Sequence, residues 1–348
     1  SQIDARPAPD LKPYIGHTYD FNVIDFKTKR GSVVLSRKSL AARERAREAR
    51  ARYAELNVGD LLEGTVKSFT AYGAFVDVGG VDVPLAFSSL AAVADKLDPL
   101  WLKTGFVFIL VGYGTKMGLA PMHTWLPDAH SEAPSPASAL LSGVLLNCAY
   151  LGIFKTNKIM QAAGLGNFSG NILIVFGLAS MLAAATFIIR QTETKRLLAY
   201  SSIENMGIIA FGTGIGGLGA YGAVLCLIHH SLIKSSLFLS SGNILLGYGS
   251  RLITETGKLA GRMPKTFIAF FGGFTGISGF PPFGIFVGEL FIIIAAFRSG
   301  HYLAVGIFIL SLCVIFAGFA RHVIQISFSD LKATIRLEEK PIMVWPQY

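Results

Sequence analysis

Residues 226–243 read CLIHHSLIKSSLFLSSGN. The stretch is apolar enough to enter lipid, yet it carries His229, His230 and Lys234. On an α-helix Cys226, His230 and Lys234 fall at i, i+4 and i+8, so they line one face. A charge at the centre of a membrane helix costs about 2.5–3.5 kcal/mol on insertion scales. Such a face must turn into a bundle, toward polar partners or water. The pattern predicts a helix with a buried His–Lys face and a lipid-facing opposite side.

The flanking sequence supplies the bundle. Apolar runs occupy roughly 102–122, 136–154, 169–189, 197–216, 219–247, 264–280, 284–298 and 302–320, most near the ~20 residues that span a bilayer. The fold class predicted is a mainly α polytopic membrane helix bundle of about eight transmembrane segments. Two segments look broken. One begins after LPDAHSEAPSPAS and another follows GFPPFG (279–284). Interrupted helices at membrane depth occur where backbone lines a polar cavity, in matching positions of two repeats. The net charge of +9 is no sign of nucleic-acid binding by the whole chain. Much of it lies in short loops, and the odd-numbered loops carry the excess, which predicts that they face the cytoplasm. Cys148, Cys226 and Cys313 sit inside apolar runs without metal-type spacing. No metal site and no redox cofactor is expected. Residues 1–30 are polar and show no signal peptide, so insertion is expected from an internal segment.

Further ionisable residues fall inside the runs: Lys116, Glu204 and Glu289. With His229, His230 and Lys234 they form a candidate proton path, since desolvation disfavours their charged forms and a relay needs groups poised between charge states. Other roles stay open. Lys116, near a run's end, also fits snorkelling to the interface. Glu204 also fits a kink cap or an amide partner. His229 also fits packing. Lys195 and Arg196 in QTETKRLLAY read as membrane-edge anchors.

The first hundred residues are of another kind, charge-rich and nearly balanced. Residues 17–26 and 31–36 read as strands, 39–56 as a charged helix with interleaved Arg and Glu, and 58–83 as further strand with Gly-Gly at a turn. DLKPYIGHTYDFNVIDFKTKRGSVVLSRK resembles the closing half of an RNA-binding repeat of bacterial ribosomal protein S-one, and VGDLLEGTVKSFTAYGAFVDVGGVD the opening half of the next. The resemblance implies five-stranded OB barrels. It points to Phe69, Tyr72 and Phe75 as base-stacking aromatics and to Lys27, Lys29 and Arg30 as phosphate contacts. Each repeat is incomplete. Ala86 stands where the family usually has a His, and the two halves together would supply a permuted barrel.

A second resemblance covers about 240 residues. GTKMGLAPMHTWLPDAHSEAPSPASALLSG, TETKRLLAYSSIENMG, HHSLIKSSLFLSSGN and GFPPFGIFVGELFI stand in that order. They resemble the antiporter-like proton-translocating membrane subunits of respiratory complex I and its relatives, most nearly those of the hydrogenase-4 type. The resemblance implies that His230 through Lys234 belong to a charged axis through the membrane centre. It also implies that Glu289 is the glutamate of the second repeat's broken helix, and that Lys116 is a lysine of the first repeat. His123, Asp128 and His130 would lie in the loop that seats the first broken helix. Asn147 occupies a position where many members carry lysine. The opening helices of the family and one closing helix are missing from this pattern.

The domains expected are 1–38 and 58–85 as OB-type halves, 39–57 as linker helix, 86–100 as junction, 101–325 as membrane domain and 326–348 as a tail. Three functional readings follow. The first is a proton-translocating subunit of a hydrogenase or complex-I-like assembly in the bacterial inner membrane, with membrane and hydrophilic partner subunits, the lipid bilayer and no cofactor of its own. The second is an RNA-binding module tethered to a membrane. The third is a chimeric or truncated reading frame without joint activity.

Overall fold

Every one of the eight apolar runs is helical in the computed structural model, which describes residues 16, 18–27, 32–37, 40, 65–70, 73–77 and 87–330. The chain divides after residue 90 into two units. In the first, β1 (Asn22–Lys27) pairs antiparallel with β2 (Ser32–Ser36), and β3 (Thr65–Thr70) with β4 (Gly73–Asp77). Each pair carries a register irregularity, at Val23/Asp25 and Val66/Ser68. The strands expected from alternation are present, but as two separate two-stranded sheets. The described residues do not support the OB expectation: among them the halves form no five-stranded barrel. Each hairpin pairs its two strands locally, and no described strand bridges one hairpin to the other. Most of the linker helix, the Gly-Gly turn and the tail beyond residue 330 lie outside the described residues.

The helices are α1 (Phe87–Ala92), α2 (Pro99–Met117), α3 (Trp125–Glu132), α4 (Ser135–Ala162), α5 (Gly166–Ile188), α6 (Thr194–Ile215), α7 (Gly217–Tyr248), α8 (Leu259–Arg262), α9 (Pro264–Ile277), α10 (Gly284–Arg298) and α11 (Tyr302–Phe328). Local chemistry sets their ends. Asp98 accepts hydrogen bonds from the amides of Leu100 and Trp101 (2.8 and 3.1 Å) while Pro99 opens α2, and Gly118 (φ 82°) closes it in the left-handed conformation. α4, α5, α7 and α11 are each long and apolar enough to cross a membrane. α9 and α10, of 14 and 15 residues, are separated by a break at 278–283, where GFPPFG interrupts the helical backbone.

α6 is the buried centre. Glu204, Asn205, Ser201 and Ser202 are all buried on it, and α3, α5, α7 and α10 pack around it. Its approach to α5 depends on glycine. A methyl group at Gly177 would lie 2.7 Å from the Gly207 carbonyl oxygen, and one at Gly170 would lie 2.7 Å from that of Gly214. Two glycine pairs seven residues apart thus bring the backbones together, the small-residue packing that joins helices in lipid. The start of α6 is tied down by a short bridge. Thr194 N–H donates to Arg251 O (3.2 Å) and Ile253 N–H to Thr192 O (2.8 Å).

Candidate functional site: a buried polar axis

α7 is amphipathic in the inverted sense that a membrane requires. Ile228, Leu232 and Leu246 are exposed, whereas Cys226, His230, Lys234 and Phe238 are wholly enclosed. The ammonium of Lys234 donates to the Leu198 carbonyl (2.8 Å) and to the Ser201 hydroxyl. It is held by neutral acceptors of α6 and not by a carboxylate. A buried cation held this way makes no direct ion pair, and its burial costs several kcal/mol unless a nearby charge compensates it. Glu204, one turn along α6 from Ser201, lies within electrostatic reach of both Lys234 and Glu289. It is buried, as is Glu289 on α10. His230 lies within reach of Lys234 and of His130.

The break before α10 frames Glu289. Its carboxyl group sits against Gly279 (φ +67°), so closely that any side chain there would overlap it. His229 is half-buried, donates from Nδ1–H to Leu225 O (2.8 Å), and lays its ring over Gly284 at the start of α10. α7 and α10 touch through Gly222 and Gly288, and Cys226 donates weakly to Ile285 O (3.8 Å). The two breaks, α3–α4 and α9–α10, therefore bracket α6 and α7.

The first break is built from the HTWLPDAH segment. Trp125 Nε1 donates to Thr115 O (2.7 Å), and Ala120 N–H to Ser180 Oγ (2.9 Å). His123 is buried between the rings of Phe187 and Tyr200, and burial lowers its imidazole below the usual range. Asp128 is exposed and pairs with Arg196 (2.7 Å). His130 is wholly buried: its carbonyl accepts from the Ser138 hydroxyl of α4 (3.1 Å), and its ring stacks on Phe238 with ring centres 4.4 Å apart. Lys195 is no simple edge anchor either. It is buried and donates to Ala133 O (2.6 Å) at the α3–α4 turn. Arg196, by contrast, stays at the surface with Asp128.

Within α4, residues Leu141–Leu145 form a π-helical turn that contains Gly143 and its carbonyl. That oxygen accepts from Asn147 Nδ2 (2.9 Å) and from the Ser231 hydroxyl of α7. Ser142 and Ser202 hydroxyls meet at 2.9 Å. Asn147, where the resemblance led to a lysine, thus serves the π turn. Lys116 is exposed in the last turn of α2, as its interfacial alternative expects. Sequence reasoning missed Ser201 and the Leu198 carbonyl. The available signal was spacing, since Ser201 precedes Glu204 by three residues on one α6 face. Of the RNA-type residues, the backbones of Phe69, Phe75 and Lys27 lie in strands, while Tyr72, Lys29 and Arg30 fall outside the described residues. Among the described residues no cluster of His, Cys, Asp or Glu could hold a metal.

Fold and axis together define a multi-pass membrane protein with ionisable groups enclosed between broken helices. Residues 80–314 match the family model described as NADH:quinone oxidoreductase/Mrp antiporter, transmembrane, and the chain belongs to that family. It is 38% identical over 247 residues to a hydrogenase-4 component F homolog of Methylacidiphilum infernorum, covering 71% of this chain and 52% of the relative. It is 35% identical over 229 residues to hydrogenase-4 component B of Escherichia coli, covering 62% of this chain and 34% of that protein. Among solved structures, a chain of an archaeal respiratory membrane complex, the membrane-bound sulfane sulfur reductase, superposes with a TM-score of 0.68 at 25% identity, over 75% of this chain and 53% of that one. A chain of the Mrp complex of a Dietzia species shares the fold, with a TM-score of 0.64 at 24% identity, over 70% of this chain and 46% of that one. The chain thus spans about half or less of the curated relatives' lengths.

Proposed function

We propose that the chain is a proton-translocating membrane subunit of a hydrogenase-4 or complex-I-like oxidoreductase in the bacterial cytoplasmic membrane. Electron transfer belongs to partner subunits, membrane and hydrophilic, and this chain holds no redox cofactor. Protons pass along Glu289, Glu204, Lys234 and His230. The observation that carries the reading is Lys234, wholly enclosed, bonded to Leu198 O and Ser201 and within reach of a carboxylate that in turn reaches Glu289. Lysine suits the role because its charge sits in neutral acceptors. It can lose a proton without breaking an ion pair, and Glu204 beside it can balance the charge in either state. Family membership supports the same assignment. The test is proton uptake by vesicles carrying the assembled complex. Lys234→Ala and Glu289→Gln should each cut uptake sharply, to a measurable residue, while assembly persists. Uptake at the wild-type rate in both variants would refute the proposal.

A further inference from the structure

We propose that Arg190 and Arg321 hold the headgroup of an anionic phospholipid at the seam between α5 and α11; the proposal is independent of the proton path. The seam is a direct helix contact. A methyl group at Gly318 of α11 would lie 3.0 Å from Ile188 Cγ2 and 3.2 Å from Ile189 Cγ1 of α5. One turn further along α11, His322 donates from Nε2–H to Ile189 O (3.2 Å). Each arginine is the sequence neighbour of one partner in that bond, since Arg190 follows Ile189 and Arg321 precedes His322. Both arginines are exposed. The hydrogen bond therefore brings two guanidinium groups to one edge of the bundle.

The acidic groups of this surface are already engaged. Asp128 pairs with Arg196, Glu132 with Arg251 and Asp330 with Lys258, while Glu193 accepts from the Ser131 hydroxyl. Among the described residues neither Arg190 nor Arg321 forms an ion pair. His322 gives a second signal. It is buried, and its Nδ1 has no hydrogen-bond partner among the described residues. Buried polar atoms are almost always met by protein, water or a bound group. Arg321 lies within electrostatic reach of the same ring.

Depth selects a lipid as the anion. α5 and α11 have 23 and 27 residues, or about 35 and 40 Å of helix, against a hydrocarbon layer of about 30 Å. Their ends therefore reach headgroup level. Arg190 stands just past the end of α5, and Arg321 lies about 10 Å before the end of α11, within reach of the interface for a snorkelling side chain. Leu182 and Ile189 on α5 and Leu310 and Ile324 on α11 are exposed, an apolar wall for acyl chains. A guanidinium matches phosphate oxygens bidentately. A zwitterionic headgroup brings its own cation to the phosphate, so two unpaired arginines favour a headgroup that has none.

The test uses the assembled complex, purified in detergent and stripped of lipid. It is incubated with photoactivatable phosphatidylglycerol, and labelled peptides of α5 and α11 are quantified. Arg190→Gln and Arg321→Gln should each raise the half-maximal labelling concentration about 5-fold and together about 30-fold, the equivalent of about 1 kcal/mol per cation. Arg321→Lys should keep most of the labelling. Arg298→Gln, exposed beside the start of α11 and so at the opposite surface, should leave it unchanged. Unlabelled phosphatidylglycerol should compete, and phosphatidylcholine and inorganic phosphate should not. Wild-type labelling in the double variant, equal competition by phosphatidylcholine, or displacement by inorganic phosphate would overturn the proposal. Absence of labelling at this seam, as when a partner subunit covers it, would overturn it too.

Discussion

Gly207→Ala puts the packing of the central helix to a quantitative test. The new methyl would sit 2.7 Å from the Gly177 carbonyl oxygen and 3.0 Å from Ser180 Cβ. Non-bonded heavy atoms settle at about 3.5–4.0 Å, so α6 must retreat from α5 by roughly half an ångström or more. Neither obstacle is the tip of a flexible side chain. Overpacking of this kind costs about 1–3 kcal/mol, which for a domain of this size is a fall in melting temperature of roughly 2–10 °C. Gly306→Ala is the matched control. It lies on α11, where an added methyl meets nothing within 4 Å, and removal of a helix-interior glycine should stabilise by about 0.5–1 kcal/mol. The assay is thermal unfolding in detergent, followed by size-exclusion recovery after heating. Gly207→Ala melting at or above wild type, or Gly306→Ala falling by the same amount, would refute the backbone-contact account.

Ser201→Ala removes one of the two acceptors of the Lys234 ammonium. A hydrogen bond to a charged group is worth about 1.5–3 kcal/mol, so proton translocation should drop roughly 10-fold or more with assembly intact, and Ser201→Thr should recover it in the same vesicle assay. Gly284→Ala should destabilise the α9–α10 break, because its methyl would overlap the His229 ring. His229→Ala in the same chain should relieve the effect, measured as melting temperature of single and double variants. Lys195→Met should cost about 1–3 kcal/mol by leaving Ala133 O unmet. Arg196→Gln should change stability by less than about 1 kcal/mol, because its partner Asp128 is exposed; denaturation of the two variants side by side compares them.

Much of the membrane unit is legible in the sequence because lipid imposes a simple rule: apolar length and backbone satisfaction fix where helices run. The four-residue spacing of Cys226, His230 and Lys234 marks the enclosed face of α7, and the prolines of GFPPFG mark the break before Glu289. Partners across helices are harder to see. Nothing in the order of residues says that Lys234 meets the Leu198 carbonyl, which is backbone and leaves no mark in composition. His130 is read, from the resemblance, only as part of the loop that seats the first broken helix, and the sequence around it does not show which way it turns. Only the turn of α3, which sends Asp128 and Glu132 outward, sends His130 in. Lys195 reads as an anchor from its position near a run's end, but the hydrogen bond to Ala133 O turns it inward. The N-terminal alternation locates β1 to β4, yet strand pattern alone does not say which hairpins share a sheet, and among the described residues these two do not.

The central claim is that Lys234 and Glu289 serve one shared path. The most direct measurement compares proton translocation per electron in Lys234→Ala, Glu289→Gln and the double variant. Residues acting as one unit show non-additive losses. The double variant should therefore fall no further than the more damaged single one. Losses that multiply in the double variant, each residue acting independently of the other, would contradict the account.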